Sequence, residues 1–364
     1  MKNYDVVIAG GLKRGGAERV TVRLAEYFAE HGNKVAVVTS TGPSDDEYQL
    51  SSAVDRYAIR KSPRYMSTRE YPRAINEYHK LFKRLNPKLV LIMSVPDCWY
   101  IILSLIGINT KVVVSERNDP RNFPGKKVVK VLSRTLMKMA DGFVFQTDMA
   151  KEFYGKKIGK KSRVIPNPIP INEIPTVDYQ GTSDVIVTMG RLQEQKNHKM
   201  LIDAFYKVHL QRPEVRLHIY GEGKLRKVLE DYICERGLNE VVTLKGNQLN
   251  VLNQIKDARM FVLSSNYEGM PNALMEALTM GLPCISTDCP CGGPRVLIND
   301  GVSGILVPVD DSSSMSEAIL SLLQDNSKCK IMTETAKAEM RKRFNIDVIG
   351  YEWISFLEYV LSKK

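Results

Sequence analysis

The sequence predicts an α/β fold of two domains, each built on a parallel sheet, and three observations carry that expectation. Tyr4–Ala9, a helix presenting Val22, Leu24, Ala25 and Phe28 on one face, and Lys34–Thr39 open the chain as a strand–helix–strand unit, a connection that pairs its strands in parallel. The run Val164-Ile165-Pro166-Asn167-Pro168-Ile169-Pro170 can neither continue a helix nor sit inside a sheet, so it reads as a stiff connector. Beyond it, Asp184–Met189 starts the alternation again. A chain of 364 residues is long for one core and comfortable for two. The expected division is residues 1–166 and 167–345, with a last helix over about 346–364.

In order, Gly10-Gly11-Leu12-Lys13-Arg14-Gly15-Gly16-Ala17-Glu18-Arg19-Val20 joins the first strand to its helix. It lacks the spacing of a dinucleotide fingerprint. Gly15 and Gly16 still let backbone N–H groups approach an anion closely, and a plain tight turn is the alternative. Gly32 suits the helix end. Residues 41–70 are polar and read as a long loop with a short strand near Asp55–Ile59. Arg73–Leu85 is an amphipathic helix with Ala74, Ile75, Tyr78, Leu81, Phe82 and Leu85 inward. Strands at Leu89–Met93 and Lys111–Val114 bracket a short helix near Cys98–Leu105. The second of them runs into Ser115-Glu116-Arg117-Asn118-Asp119-Pro120-Arg121, where a parallel sheet presents binding residues; a turn capping the next helix is the alternative. Gly125–Ala140 reads as a helix with Val128, Val131, Leu132, Leu136 and Met139 inward and Lys126, Lys127, Lys130, Arg134 and Lys138 exposed.

Apolar residues make up 43% of the chain and charged residues 26%, values ordinary for a soluble globular protein. No apolar run approaches the roughly 18–20 residues that span a bilayer. Met1-Lys2 leads through the first strand into a polar glycine loop without a signal-peptide cleavage site, so a cytoplasmic location is expected. The cysteines at 98, 234, 284, 289, 291 and 329 are scattered, and Cys289-Pro290-Cys291 has no second ligand pair, so reduced thiols and no zinc are expected. Charge is uneven: residues 1–166 hold 30 Lys+Arg against 16 Asp+Glu, and residues 167–364 hold 22 against 25. A basic half suits nucleic acid, an acidic ligand or an anionic membrane surface. Nucleic acid ranks last, because no aromatic–basic interleaving and no known motif appears. Lys151, Lys156, Lys157, Lys160, Lys161 and Arg163 extend the basic set, as a solvated face or as a patch for anionic headgroups.

In the second half, the strand to Met189 runs into Gly190-Arg191-Leu192-Gln193-Glu194-Gln195-Lys196-Asn197, ahead of a helix over Lys199–Leu210. Arg191 and Lys196, flanking a turn at a strand's carboxyl end, can hold a diphosphate without a metal; ordinary surface cations are the alternative. Leu217–Tyr220 leads to Gly221-Glu222-Gly223, and Val241–Leu244 to Lys245-Gly246-Asn247. Met260–Leu263 is short and apolar, a buried strand. It is followed by Ser264-Ser265-Asn266-Tyr267-Glu268-Gly269-Met270-Pro271-Asn272-Ala273-Leu274-Met275-Glu276-Ala277-Leu278-Thr279-Met280-Gly281. Pro271 suits a first helical position and Gly281 the stop, so a helix N-terminus points from the sheet edge, a natural phosphate site. Glu268 precedes that terminus and Glu276 lies inside the helix; a dipole contact and a solvated position are their plain readings. A strand at Cys284–Thr287, a turn at Gly292-Gly293-Pro294-Arg295, a closing strand at Gly304–Val307 and helices at Ile319–Leu323, Ile331–Arg343 and Ile346–Leu361 complete the chain.

The stretch from Glu268 to Ala277 resembles the E-x7-E signature of the retaining family 4 glycosyltransferases, and Gly281–Thr287, Gly15–Val20 and the Arg191…Lys196 pair are similar to the family as well. The resemblance covers nearly the whole chain and is strongest from Gly190 to Leu306. It implies the GT-B architecture, two facing Rossmann-like domains with the last helix crossing back to the first. It also implies a nucleotide-sugar donor, a UDP-sugar above all, with no metal and no cofactor. Arg191 and Lys196 would hold the diphosphate, Glu268 the sugar hydroxyls and Glu276 the ribose. Gly15, Gly16, Asn247, Gly269, Met270, Pro271 and Asn272 would line the donor. The chain departs from the pattern at one point: many members carry a histidine near Ser115–Arg121, and here the histidines are at 31, 79, 198, 209 and 218. That role is unfilled or falls to Glu116, Arg117, Asn118 or Asp119, the acceptor-side candidates. The expected activity is transfer of a hexosyl or N-acetylhexosaminyl group to a lipid-linked saccharide in envelope polysaccharide synthesis, at the inner face of the cell membrane. Two rivals remain on the same architecture, a non-catalytic sugar-nucleotide-binding protein and a sugar-nucleotide epimerase.

Overall fold

The computed structural model of the chain describes residues 2–13, 15–64 and 66–363. It forms two compact units, Met1–Pro168 with Ile346–Lys364, and Ile169–Asn345.

Among the described residues the first unit holds seven strands: β1 (Val6–Ala9), β2 (Val35–Thr39), β3 (Val54–Ala58), β4 (Leu89–Ile92), β5 (Lys111–Ser115), β6 (Gly142–Phe145) and β7 (Ser162–Val164). They lie in the order β3-β2-β1-β4-β5-β6-β7, every pair parallel, with Ile8 opposite both Val37 and Leu91. Every residue of β1, β2, β4 and β6 is buried, as expected of parallel strands covered on both faces. The winding reverses between β1 and β4. The helix before β2 is Gly16–Glu30 and the one before β4 is Tyr71–Leu85, closed by Asn86 at a φ of 48°. The last helix, Ile346–Ser362, belongs to this unit and buries Trp353, Phe356 and Leu357 in one core with Ile8, Leu91 and Val113.

Two differences from expectation stand out here. Strands β6 and β7, with helices Asp148–Phe153 and Gly155–Gly159 between them, occupy a stretch that the sequence marks most plainly by its lysine cluster. The helix expected over Gly125–Ala140 spans Lys127–Leu136, followed by a single 3-10 turn at Met137–Met139, and its inward face is not the apolar one. Ser133 is buried, donating to Pro96 O at 3.1 Å, while Val128, Val131 and Met139 are 69%, 64% and 60% exposed. A serine lets this helix lie close against Cys98–Ser104, whose first sulfur donates to Ser133 O at 3.4 Å. A 3.6-residue period locates an apolar stripe; it does not say what covers it.

The second unit holds β8 (Val185–Met189), β9 (Arg216–Tyr220), β10 (Val242–Gly246), β11 (Met260–Leu263), β12 (Cys284–Thr287) and β13 (Ile305–Val307). Their order is β10-β9-β8-β11-β12-β13, all parallel, reversing between β8 and β11. One face packs Ile186, Leu217 and Val262 against Phe205 and Met315; the other packs Val187, Phe261 and Leu263 against Leu274 and Leu278. Helices Ser312–Gln324 and Asn326–Phe344 begin earlier than apolar spacing suggested, because Asp311 accepts from the N–H of Ser313 and Ser314 at 3.0 Å and Asp325 from that of Lys328 at 2.9 Å. Gly293–Leu297 is a short helix rather than a plain turn.

Candidate active site

In an open parallel sheet, ligands bind past the carboxyl ends of the strands where the winding reverses. In the second unit those strands are β8 and β11, and the loops after them carry Arg191, Lys196 and Glu268. The loops are lashed together. Asn266 N donates to Gln195 O at 2.8 Å, Asn266 Nδ2 to Glu194 O at 2.9 Å, Ser264 Oγ to Lys196 O at 2.8 Å and Gln195 Nε2 to Tyr267 O at 3.0 Å. Asn197, at a φ of 43°, caps the helix His198–His209 by accepting from Met200 N.

At the centre, Lys196 Nζ lies 2.5 Å from Glu268 Oε1, which also accepts from Ser265 Oγ at 2.6 Å; Oε2 accepts a longer bond, 3.3 Å, from Gln195 Nε2. Glu268 is 6% exposed, so the pair sits largely out of water. Arg191 is exposed on the same turn, its guanidinium without a partner among the described residues. Behind the turn, His198 is buried, and burial followed by the charge of Lys196 pushes its pKa down to about 4. The helix after Glu268 spans Asn272–Met280, with Pro271 just outside it as the N-cap and Gly281 closing it at a φ of 96°. Glu276 is buried, not solvated; Gly269, Met270 and Pro271 are buried as well, and Asn272 is half-buried. Asn247 is exposed past β10. Among the described residues no three His, Cys, Asp or Glu converge as metal ligands.

Two glycines back this cluster. A Cβ on Gly221 (φ 136°) would overlap Gly190 O, and one on Gly293 would overlap Gly269 O. The β8 turn therefore rests on the β9 turn backbone to backbone, with Leu192 N donating to Glu222 O at 3.0 Å, and the Glu268 loop rests on the turn after β12, with Glu268 N donating to Pro290 O at 2.9 Å.

In the first unit, Gly15 is the extended N-cap of Gly16–Glu30, and the Glu18 carboxylate lies over it, where a Cβ would stand. The acceptor-side candidates are mostly engaged internally. Glu116 is buried, accepting from Tyr154 Oη at 2.7 Å and from the N–H of Arg117 and Asn118 at 3.1 and 3.3 Å; burial outweighs these bonds and raises its pKa. Arg117 Nη1 donates to Asn167 Oδ1 at 2.9 Å and its guanidinium lies over the Trp353 ring, while burial lowers its pKa to about 9. Asp119 is buried, accepting from Arg121 N at 3.1 Å and Asn122 Nδ2 at 2.8 Å. Asn118 is half-buried and its side-chain carbonyl oxygen accepts from Asp119 N at 2.8 Å.

The winding reversal of this unit, at β1 and β4, brings up residues that sequence reasoning passed over. The loop after β4 carries Asp97, whose carboxyl pKa is raised by burial against the bonds it makes to Ser94 and Tyr100. Trp99 follows, its ring 4.8 Å from that of Tyr71 and its Nε1 shielded without a hydrogen-bond partner among the described residues. Their position just past a parallel strand was the available signal.

Comparison with known proteins matches the same two halves. The family described as "Glycosyltransferase Family 4" matches residues 14–173, and that described as "Glycosyl transferases group 1" matches residues 173–339. The chain belongs to the glycosyltransferases of the GT-B type, and so is an enzyme. It is 27% identical over 331 residues to an uncharacterized glycosyltransferase of Methanocaldococcus jannaschii, covering 77% of this chain and 81% of that one. It is 26% identical over 370 residues, 99% of each chain, to a Campylobacter jejuni enzyme named GalNAc-alpha-(1->4)-GalNAc-alpha-(1->3)-diNAcBac-PP-undecaprenol alpha-1,4-N-acetyl-D-galactosaminyltransferase. Among solved structures, Anabaena HepE in complex with UDP and glucose superposes at a TM-score of 0.82, with 16% identity, 98% of this chain and 99% of that one covered. That likeness is one of fold.

Proposed function

We propose that this chain is a retaining glycosyltransferase that takes a sugar from a UDP donor and passes it to a saccharide carried on a lipid diphosphate. The observation that carries the reading is the Lys196–Glu268 pair at the β8/β11 reversal. As the sugar leaves, negative charge grows on the diphosphate. Lys196, exposed Arg191 and the N-terminus of Asn272–Met280 are the preorganised positive groups at that place, the kind of stabilisation that usually supplies the largest catalytic contribution. In this reading the two cations supply the charge and no metal is required. Glu268 is oriented by Lys196 and Ser265 and offers Oε2 to a sugar hydroxyl; Glu276 takes the ribose. The acceptor attacks the face from which the diphosphate departs, which retains configuration.

For the acceptor side, the half-buried Tyr71–Trp99 ring pair offers a face on which a sugar can stack, and Asp97 and Asn118 offer polar groups for its hydroxyls. The name of the Campylobacter relative supports a lipid-diphosphate carrier.

Calorimetric titration with UDP tests the division of roles. Glu276→Ala weakens UDP by about tenfold or more, the worth of a hydrogen bond to a charged group, whereas Glu268→Ala leaves UDP affinity nearly intact and lowers turnover of the sugar-bearing donor. Equal losses in both variants, or a product of inverted anomeric configuration by NMR, would count against the reading.

A further inference from the structure

The Lys127–Leu136 helix keeps its serine inward and turns its apolar side to solvent. Val128, Val131 and Leu132 lie on one stripe, and Met139, just past the helix, is exposed with them. Beside it, Phe153 is 37% exposed, with the Arg134 guanidinium 4.9 Å and the Arg121 guanidinium 6.0 Å from its ring centre. Contiguous apolar groups left bare on a folded surface mark an interaction site.

The surrounding charge says what kind. Between Asp119 and Asp141 the chain carries Arg121, Lys126, Lys127, Lys130, Arg134 and Lys138 and no acidic residue. Lys126, Lys127 and Lys138 are exposed around the stripe. A second copy of the same face would oppose one set of cations with another, which is unfavourable. No helix among the described residues is long and apolar enough to cross a membrane. Exposed apolar side chains ringed by lysines, on a helix too short to span, are what an interfacial helix presents to anionic lipid.

We propose that this face docks the first unit on an anionic lipid bilayer, with Val128, Val131, Leu132 and Met139 entering the headgroup–acyl boundary and the lysines pairing with lipid phosphates. The charge surplus of residues 1–166, 30 basic against 16 acidic, adds long-range attraction that falls with salt. The face and the Lys196–Glu268 cluster belong to different units, so its readout is lipid binding and not transfer.

The test is co-sedimentation of the full chain with vesicles of equal parts phosphatidylglycerol and phosphatidylcholine, against phosphatidylcholine alone. The wild type partitions to the anionic vesicles. Lys126→Glu/Lys127→Glu/Lys138→Glu lowers that partition by about a hundredfold or more at low salt, from about 1 kcal/mol per cation near the surface. Val131→Ser/Leu132→Ser lowers it by about tenfold or more at both low and high salt, because apolar burial is not screened. An environment-sensitive dye on Leu132→Cys, in a Cys234→Ser background, shifts to the blue with the anionic vesicles. All six substituted positions are exposed, so circular dichroism is expected to match the wild type. The proposal is overturned by a wild type that ignores anionic vesicles, by serine variants that bind them as well as the wild type, or by a dimer in sedimentation velocity that the serine variants dissolve.

Discussion

Lys196 neutralises a buried carboxylate, whereas Arg191, five residues earlier, reaches into solvent. Substituting each therefore separates catalysis from folding. Lys196→Ala leaves Glu268 buried without its cation and costs about 3–5 kcal/mol of stability; Arg191→Ala stays within about 0.5 kcal/mol. Both lower transfer by about a hundredfold or more, as loss of a transition-state charge contact does. Urea unfolding beside steady-state kinetics checks the split, and equal stability losses would show that the pair is not a buried one. His198 gives folding stability a pH dependence. Its pKa is about 4 in the folded chain against an ordinary histidine value of 6.5. Because the folded value is the lower one, its contribution is complete above about pH 6.5 and disappears as pH falls through about 4. Between pH 7.5 and 5 that loss is about 2 kcal/mol. His198→Gln should flatten this part of the stability–pH curve in urea titrations; an unchanged slope would assign it to other groups.

Among the elements, the turn around Gly293 supports the Glu268 loop by direct backbone contact. Gly293→Ala forces the two apart and costs about 3 kcal/mol, the upper range for overpacking; calorimetric melting and donor turnover should fall together. A melt that leaves stability and turnover at wild-type levels would mean the loops yield. These contacts also explain what could be read in advance. Short apolar runs bounded by polar residues announced β1, β2, β4, β8 and β11, because parallel strands buried on both faces tolerate little else. The same signal was present in Gly142-Phe143-Val144-Phe145 and was masked by the lysines around it. The Glu268–Glu276 stretch and the Arg191–Lys196 turn were each legible as motifs. Their union was not, since an ion pair across 72 positions depends on strand order. Strand order likewise decides that the loop after β4 stands at a winding reversal, so the place of Asp97 and Trp99 just past a strand was a signal they shared with the other strand ends. The outward stripe of Lys127–Leu136 is a third case, in which periodicity was right and the covering body was assumed.

For the molecule as a whole, the first unit depends on residues that lie on the far side of the second in the sequence. Removing everything after Asn345 takes Ile349, Trp353, Phe356, Leu357 and Val360 out of the core that holds Ile8 and Leu91. Five buried apolar side chains are together worth about 10 kcal/mol, close to the entire stability of a domain. The shortened chain should keep the melting transition of Ile169–Asn345 and lose that of the first unit in scanning calorimetry; two intact transitions would refute this. The same arrangement fixes a sequence of events at the ribosome. Nascent proteins generally complete their domains from the N-terminus onward, but here β1 to β7 emerge before the helix that closes over them has been made. The 196 residues after Pro168 take about 10–40 s to synthesise at about 5–20 residues per second. Through that interval the segment Ile169–Asn345 can finish folding while the earlier sheet waits with an open apolar face, an occasion for chaperone binding. The unit begun first is the one completed last.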